Sequence, residues 1–334
     1  MSLQTVAQQM VASGKGILAA DESSGTIEKK FAKIGLASTE DTRRAYREML
    51  FTSPRIGDYI SGVILFDETI KQNASDGRTM VSILQSVGVL PGIKVDQGTA
   101  AMDVSPEEKV TKGLDGLGDR LKEYASLGAV FAKWRAVITI GDPPAGGPTD
   151  GNILRNAQDL AAYALECQKA GIVPMVEPEV LMDGSHTLEK CVEASERTLK
   201  SVFEELTRLG VDTTGMILKT NMMVPGKESG QKATPQEVAD ATIKVFKDVL
   251  PDDLPGQAFL SGGQSDVEAT ANLDAINKNG PFPWKLSFSY GRALQDSALK
   301  AWNGKAENVT AAQNVFLHRA KMNSLATLGK YEGE

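Results

Sequence analysis

Residues 215–223 read GMILKTNMM, an apolar run of strand length with a lysine, Lys219, set inside it. An ammonium in a dry interior is costly unless it is paired or neutralised. Two explanations compete. Lys219 stands at a strand end with its head in water, or it is a desolvated amine of the kind that attacks a carbonyl. The surroundings settle the type of fold. Seven other short apolar or β-branched runs recur along the chain: GILAAD (16–21), SGVILFD (61–67), GIKVDQG (92–98), GAVFAKWRAVI (128–138), GIVPMVEPEVL (171–181), AFLSGG (258–263) and LSFSYGR (286–292). Segments with helical spacing lie between most of them, among them 185–210, 234–250 and 265–280, several with a Ser or Thr cap at the start and Gly at the end. Eight strand–helix units with no composition shift to mark a linker predict an α/β fold, a TIM (β/α)8 barrel, as a single domain over residues 1–334 with a short C-terminal tail. The Gly/Pro-rich stretch GDPPAGGPTDGN (141–152) follows a strand and precedes a helix, so it reads as a long loop of one βα unit rather than a linker. GLDGLG (113–118) has the wrong order for a dinucleotide fingerprint and reads as a loop.

Polar residues gather at the C-terminal ends of these strands: Asp21, Asp67, Lys94 with Asp96, Lys133 with Arg135, Glu177 with Glu179, Lys219, Ser261, and Ser289 with Arg292. In a parallel barrel those ends converge on one face, where barrel active sites sit. The i, i+2 pairs project to the same side of their strands. Any one pair is most simply a solvated strand end or a structural ion pair. Three pairs and a lone lysine at matching positions point instead to a shared cavity.

The composition narrows the possibilities. Of 334 residues, 41% are hydrophobic and 24% charged, an ordinary globular balance. The formal net charge of -7 comes without blocks of like charge, which argues against nucleic acid as a partner. Cys167 and Cys191 form no CxxC pair and fit a reducing compartment as two inert thiols. The N-terminal MSLQTVAQQMVASGKG is a mildly amphipathic helix rather than a signal peptide, and no apolar run approaches membrane-spanning length, so a soluble cytoplasmic protein without a membrane partner is expected. Two histidines far apart, His186 and His318, exclude a three-histidine zinc centre and read as surface residues.

Several lysines and carboxylates without a metal-ligand set equip a site for imine formation. A neutral lysine adds to a ketone, acid catalysis expels water, and the protonated imine withdraws electrons so that a neighbouring carbon–carbon bond breaks. Spacing alone leaves Lys94, Lys133 and Lys219 as alternatives for the nucleophile. Two Gly-rich turns add a ligand class. SGGQS (261–265) leaves the seventh strand and enters a helix whose start reads as a capping box, Ser265 with Glu268, while SYGR (289–292) follows the eighth strand and adds a guanidinium. Barrel phosphate sites often lie there, so the inferred substrate is phosphorylated.

The motifs AADES (19–23), GVILF (62–66), GIKVD (92–96), FAKWR (131–135), VEPE (176–179), FLSGGQS (259–265) and FSYGRALQ (288–295) together resemble class I fructose-1,6-bisphosphate aldolase, the metal-free Schiff-base type, from about Gly14 to Tyr331. The resemblance implies reversible aldol cleavage of fructose 1,6-bisphosphate, with no metal or organic cofactor and a homotetrameric assembly. It makes Lys219 the Schiff-base lysine and Glu177 the acid/base of carbinolamine formation and dehydration, with Glu179 supporting the proton inventory. Asp21 becomes the acceptor of the substrate hydroxyl proton, and Lys133 the second lysine, whose charge keeps the carboxylates ionised. Ser261, Gly262, Gly263, Ser289, Gly291 and Arg292 fall at the phosphate site next to the imine. Lys94, Ser23, Thr26 and Lys30 fall where the far phosphate is held, and Arg135 matches a substrate-proximal arginine.

Three departures accompany the match. Thr220 follows Lys219 where animal members of the family carry proline. Thr26 and Lys30 stand for serine and arginine at the far-phosphate end, and lysine lacks the arginine fork. The sequence stops three residues after Tyr331, whereas animal members end in a mobile tail with a terminal tyrosine. Two rival readings are a related barrel enzyme such as a transaldolase and a non-catalytic scaffold. A substrate panel separates the first, since two phosphate sites should favour bisphosphates, and the costly set Asp21, Lys133, Glu177 and Lys219 argues against the second.

Overall fold

The structure is a computed structural model that describes residues 1–102, 105, 107–141 and 147–334. All eight strand-like runs form strands: β1 (Gly16–Ala20), β2 (Ile60–Leu65), β3 (Leu90–Lys94), β6 (Phe131–Ile138), β7 (Val173–Val180), β8 (Ile217–Thr220), β9 (Gly256–Phe259) and β10 (Lys285–Tyr290). They close into a parallel barrel in the order β1, β2, β3, β6, β7, β8, β9, β10 and back to β1. Their near-continuous burial is what a sheet covered by helices outside and filled by side chains inside requires. Two three-residue strands that the periodicity did not reveal, β4 (Thr99–Ala101) and β5 (Lys109–Thr111), pair antiparallel between β3 and β6. They are short, part-exposed and off the barrel, so no apolar run marks them.

Helices α2 (Ser24–Ala32) and α3 (Glu40–Phe51) follow β1, and α4 (Asp67–Ile70) and α5 (Met80–Ser86) follow β2. Single helices α6 (Leu117–Ser126), α7 (Asp150–Lys169), α8 (Leu188–Arg208), α9 (Pro235–Val249) and α10 (Asp266–Lys278) separate the later strands, and α11 (Arg292–Trp302) and α12 (Val309–Ala326) follow β10. The start of each long crossover helix agrees with its sequence. Thr149 caps α7, Thr187 caps α8, and Thr234 with Glu237 and Ser265 with Glu268 form the two capping boxes of α9 and α10. GLDGLG is a loop only through Gly116, whose left-handed backbone opens α6, so Leu117 and Gly118 are helical. Of GDPPAGGPTDGN, residues 142–146 lie outside the described residues, 141 and 147–149 are irregular, and Asp150 begins α7.

The barrel interior is filled by Ile17, Ala19, Ile64, Phe131, Val173, Met175, Ile217 and Ala258. The N-terminal helix α1 (Leu3–Met10) adds Val6, Ala7 and Met10 to this cluster and so stops the N-terminal end of the barrel. A larger cluster fills the space between strands and outer helices, with Phe31, Tyr46 and Trp302 joining α2, α3 and α11. With one end plugged, the open mouth at the C-terminal strand ends is left for the ligand.

Candidate active site

A cleft of about 1150 Å³ opens at that mouth. Every candidate from the sequence lines it except one: Asp21, Lys94, Lys133, Arg135, Glu177, Glu179 and Lys219 form its floor and wall, Ser261, Gly262, Ser289, Gly291 and Arg292 one end, and Ser23, Thr26 and Lys30 the other. Gly263 is the exception. It turns away from the cleft, and its N–H donates to the Met182 sulfur at 2.6 Å. A side chain from a neighbouring loop occupies that N–H, which the Gly-Gly pattern could not foretell.

Strand register places the charges. Lys94 of β3 lies beside Lys133 of β6, and Arg135 of β6 beside Glu177 of β7. Since alternate residues point inward, Lys133 and Arg135 and then Glu177 and Glu179 rise up the wall in steps. Lys219 is 4% exposed and meets Glu177 Oε1 at 3.0 Å. Lys133, equally buried, lies 2.7 Å from Asp21, 3.4 Å from Glu177 and 3.8 Å from Asp96. Lys219 is thus inside, and a carboxylate accompanies it. Lys94 turns toward Asp96 at 2.7 Å, and Arg135 pairs with Glu179.

The electrostatic balance follows. Burial alone would raise the Asp21 carboxyl, but Lys133, then Lys219 and Lys94, outweigh it and bring the pKa from an ordinary 3.8 to about 2. Burial opposes the Lys133 charge as well, yet Asp21, Glu177 and Asp96 prevail and raise its pKa. Arg135 is raised in the same way by Glu179 and Glu177. Asp21 is therefore ionised and Lys133 charged at neutral pH, as a positive charge meant to keep carboxylates ionised demands. Five side-chain atoms of cleft-lining residues, Glu22 Oε2, Asp96 Oδ2, Arg120 Nε, Glu177 Oε2 and Ser289 Oγ, are buried with no hydrogen-bond partner. Such groups are costly in a finished core and are what a site awaiting a polar ligand contains.

The loop that carries Asp21 is held from beneath. The buried Arg47 donates to the carbonyls of Ala20 and Glu22, and Gln295 donates to that of Ala19 at 2.6 Å. At the β9 end, Arg292 donates to the Gly262 carbonyl, so the two Gly-rich turns are tied together. At the α2 end, the hydroxyls of Ser23 and Thr26 lie 3.1 Å apart at the first turn of the helix. Asp96, Glu22 and Asp296 were missed as site residues. Asp96 had a signal, its i, i+2 spacing from Lys94, and Asp296 a faint one, its place one turn after Arg292 on α11.

The residues elsewhere in the chain behave differently. His186 is not a surface residue: it is 7% exposed in the loop before α8, its ring nitrogens 3.1 Å from the Leu181 carbonyl and 3.3 Å from that of Thr187. A polar ring is tolerated there because a ring N–H finds a backbone carbonyl to accept it. Both cysteines are buried, and burial pushes the Cys191 thiol up to about 11, which suits inert thiols. No helix among the described residues is long and apolar enough to cross a membrane.

A buried amine one hydrogen bond from a carboxylate, at the mouth of a (β/α)8 barrel with Gly-rich turns at its rim, is the equipment of an imine-forming lyase. Known proteins give the particular family. The family description "Fructose-bisphosphate aldolase class-I" matches residues 2–334. A cytosolic fructose-bisphosphate aldolase of Arabidopsis thaliana is 52% identical over 96% of this chain and 81% of its own length. A probable class 1 fructose-bisphosphate aldolase of Xylella fastidiosa is 51% identical over 99% of this chain and 98% of its own. Among solved structures, that of fructose-bisphosphate aldolase from Plasmodium falciparum superposes with a TM-score of 0.97 at 50% identity, covering 99% of this chain and 95% of that one. The chain belongs to the class I fructose-bisphosphate aldolase family. Its reaction is the reversible aldol cleavage of fructose 1,6-bisphosphate to dihydroxyacetone phosphate and glyceraldehyde 3-phosphate through a lysine Schiff base.

Proposed function

We propose that Lys219 is the nucleophile of this aldolase and that Glu177, Asp21 and Lys133 manage its protons. The observation that carries the assignment is the pairing of Lys219 with Glu177 at 3.0 Å in the same buried charge cluster that joins Lys133 to Asp21 at 2.7 Å. The Lys219 amine adds to the C2 ketone, and Glu177 delivers a proton to the C2 oxygen, which leaves as water. The protonated imine then draws the C3–C4 bonding pair toward nitrogen. Asp21 takes the C4 hydroxyl proton as that bond breaks, releasing the aldehyde and leaving an enamine. A proton added at C3 regenerates the imine, and water hydrolyses it to free dihydroxyacetone phosphate and the lysine. Lys133 lies between the carboxylates of Asp21 and Glu177 and keeps them in charge balance through these transfers. Glu179 and its partner Arg135 flank the reacting carbons.

The C1 phosphate is assigned to Ser261, Gly262, Ser289, Gly291 and Arg292, on the side of the cleft next to Lys219. The C6 phosphate is assigned to Lys94, Ser23, Thr26 and Lys30 at the α2 end. No step calls on a metal or organic cofactor. The chain is further proposed to act as one domain, in the cytoplasm, as a homotetramer. Relatives named cytosolic and cytoplasmic support the compartment.

The test is borohydride reduction in the presence of dihydroxyacetone phosphate, followed by peptide mass mapping. A stable adduct is expected on Lys219, with cleavage activity retained after chelator treatment. An adduct on Lys94 or Lys133, or none, refutes the assignment. Lys219→Met is expected to abolish the adduct and lower turnover by more than about a thousandfold.

A further inference from the structure

The α2 end of the cleft holds a negative charge that a site for phosphate does not call for. Lys30 sits between two carboxylates, Glu22 Oε1 at 2.6 Å and Asp296 Oδ1 at 3.9 Å. Glu22 has a structural role of its own: its backbone carbonyl accepts from the buried Arg47, whose guanidinium also lies 3.8 Å from Glu22 Oε2. Asp296 has no such anchor. Among the described residues its one cationic partner is Lys30, and its side chain stays part-exposed at the cleft wall. Arg47 offsets the Glu22 charge from beneath, which leaves the Asp296 carboxylate and Lys30 facing the place where a second phosphate would arrive. Lys29 in the last turn of α2 and Lys33 at its C-cap line the same end and form no ion pair among the described residues, so cations that need no release from carboxylates stand nearby.

We propose that Asp296 is a specificity-determining residue: through Lys30 it penalises the second phosphate of the substrate and so narrows the preference for a ketose bisphosphate over a ketose phosphorylated only next to the imine. The proposal rests on the placement of the far phosphate at the α2 end given above. A dianion entering that end meets a carboxylate of like sign and a lysine already committed to two others. Specificity is set by such repulsive elements as much as by attractive ones. The phosphate next to the imine is assigned to backbone turns and Arg292; Asp296 stands one turn after Arg292 on α11, but no ion pair joins the two among the described residues.

Asp296→Asn preserves shape and removes the charge. With this variant, KM for fructose 1,6-bisphosphate is expected to fall about three- to tenfold at low ionic strength, while KM for fructose 1-phosphate shifts less than about twofold. The gain shrinks as salt is raised. Asp296→Ala gives the same split, which separates charge from any hydrogen bond the amide forms. An unchanged or raised KM for the bisphosphate overturns the proposal, as does an equal fall for both substrates, which would mean a general field rather than discrimination. The borohydride experiment keeps the two levels apart. An adduct on Lys219 with no KM split sinks only the role of Asp296, whereas no adduct on Lys219 sinks the site assignment and this proposal with it.

Discussion

Asp21 illustrates how a residue's role depends on its partners. Lys133 at 2.7 Å holds its carboxyl down at about 2, so it is in the proton-accepting form at neutral pH. Asp21→Asn is therefore expected to lower turnover at every pH between 5 and 9 without moving either limb of the pH–rate profile. A lost acidic limb would make Asp21 the titrating group and contradict this. Stability follows the same sign. Because the folded pKa lies below the ordinary 3.8, ionised Asp21 stabilises the fold above about pH 4, and that contribution fades as pH falls toward 2. The shift corresponds to an amount on the order of 2 kcal/mol, so urea titrations of parent and variant at pH 6 and pH 3 should show the parent losing more on acidification. At this scale the sequence was informative about residue types and mute about pairings. That Lys219 and Glu177 belong to one polar set at the strand ends was legible; that they are each other's partner was not, because their strands meet only in three dimensions.

Thr220 shows the same at the scale of elements. In register, β7 and β8 pair only at Met175–Ile217 and Val176–Leu218, below the level of Glu177 and Lys219. Above that point the strands are joined by side chains: the buried Thr220 hydroxyl donates to the Pro178 carbonyl at 3.1 Å, and Asn221 Oδ1 accepts from Val180 N–H at 3.0 Å. The Thr220 carbonyl accepts from Leu260 N–H, next to Ser261. The departure from proline after Lys219 thus leaves the strand intact through Thr220 and adds a stitch between the lysine, the acid pair and the phosphate turn. Thr220→Val should cost about 1 kcal/mol of stability and lower kcat about tenfold with KM little changed, and Thr220→Ser should recover most of kcat. Full activity in the valine variant would mean that the stitch has no bearing on geometry. On the other side of the barrel, a Cβ added at Gly92 would come within 2.2 Å of the Phe131 ring, which fills the barrel interior. Gly92→Ala is expected to destabilise the fold by about 1–3 kcal/mol, read as a lower urea midpoint at unchanged slope. The sequence gives Gly92 as a glycine in a strand and Phe131 as core, with nothing to say that one makes room for the other.

At the scale of the whole molecule, barrel closure makes every crossover unit depend on its neighbours: α7 packs on α8, α8 on α9, α9 on α10, and α12 on both α10 and α11 while reaching α3 near the first strand. The three tryptophans sample this ring, Trp134 on β6, Trp284 before β10 and Trp302 on α11. If the chain is one domain, urea unfolding followed by tryptophan fluorescence and by far-ultraviolet circular dichroism should give coincident transitions, and two separated midpoints would divide it. What the sequence determined by itself is everything carried by local pattern: eight apolar strand runs, their helices with capping residues that the structure reproduces, and a polar set at matching strand ends that had to converge once the barrel closed. Local pattern carries these because period and capping act over a few residues. The tertiary structure alone decided which charges meet. Lys133 among three carboxylates, Lys30 brought to Asp296 and Gly263 turned to Met182 all come from contacts between segments far apart in sequence, where no periodicity constrains the partner and only the closed barrel sets the distance.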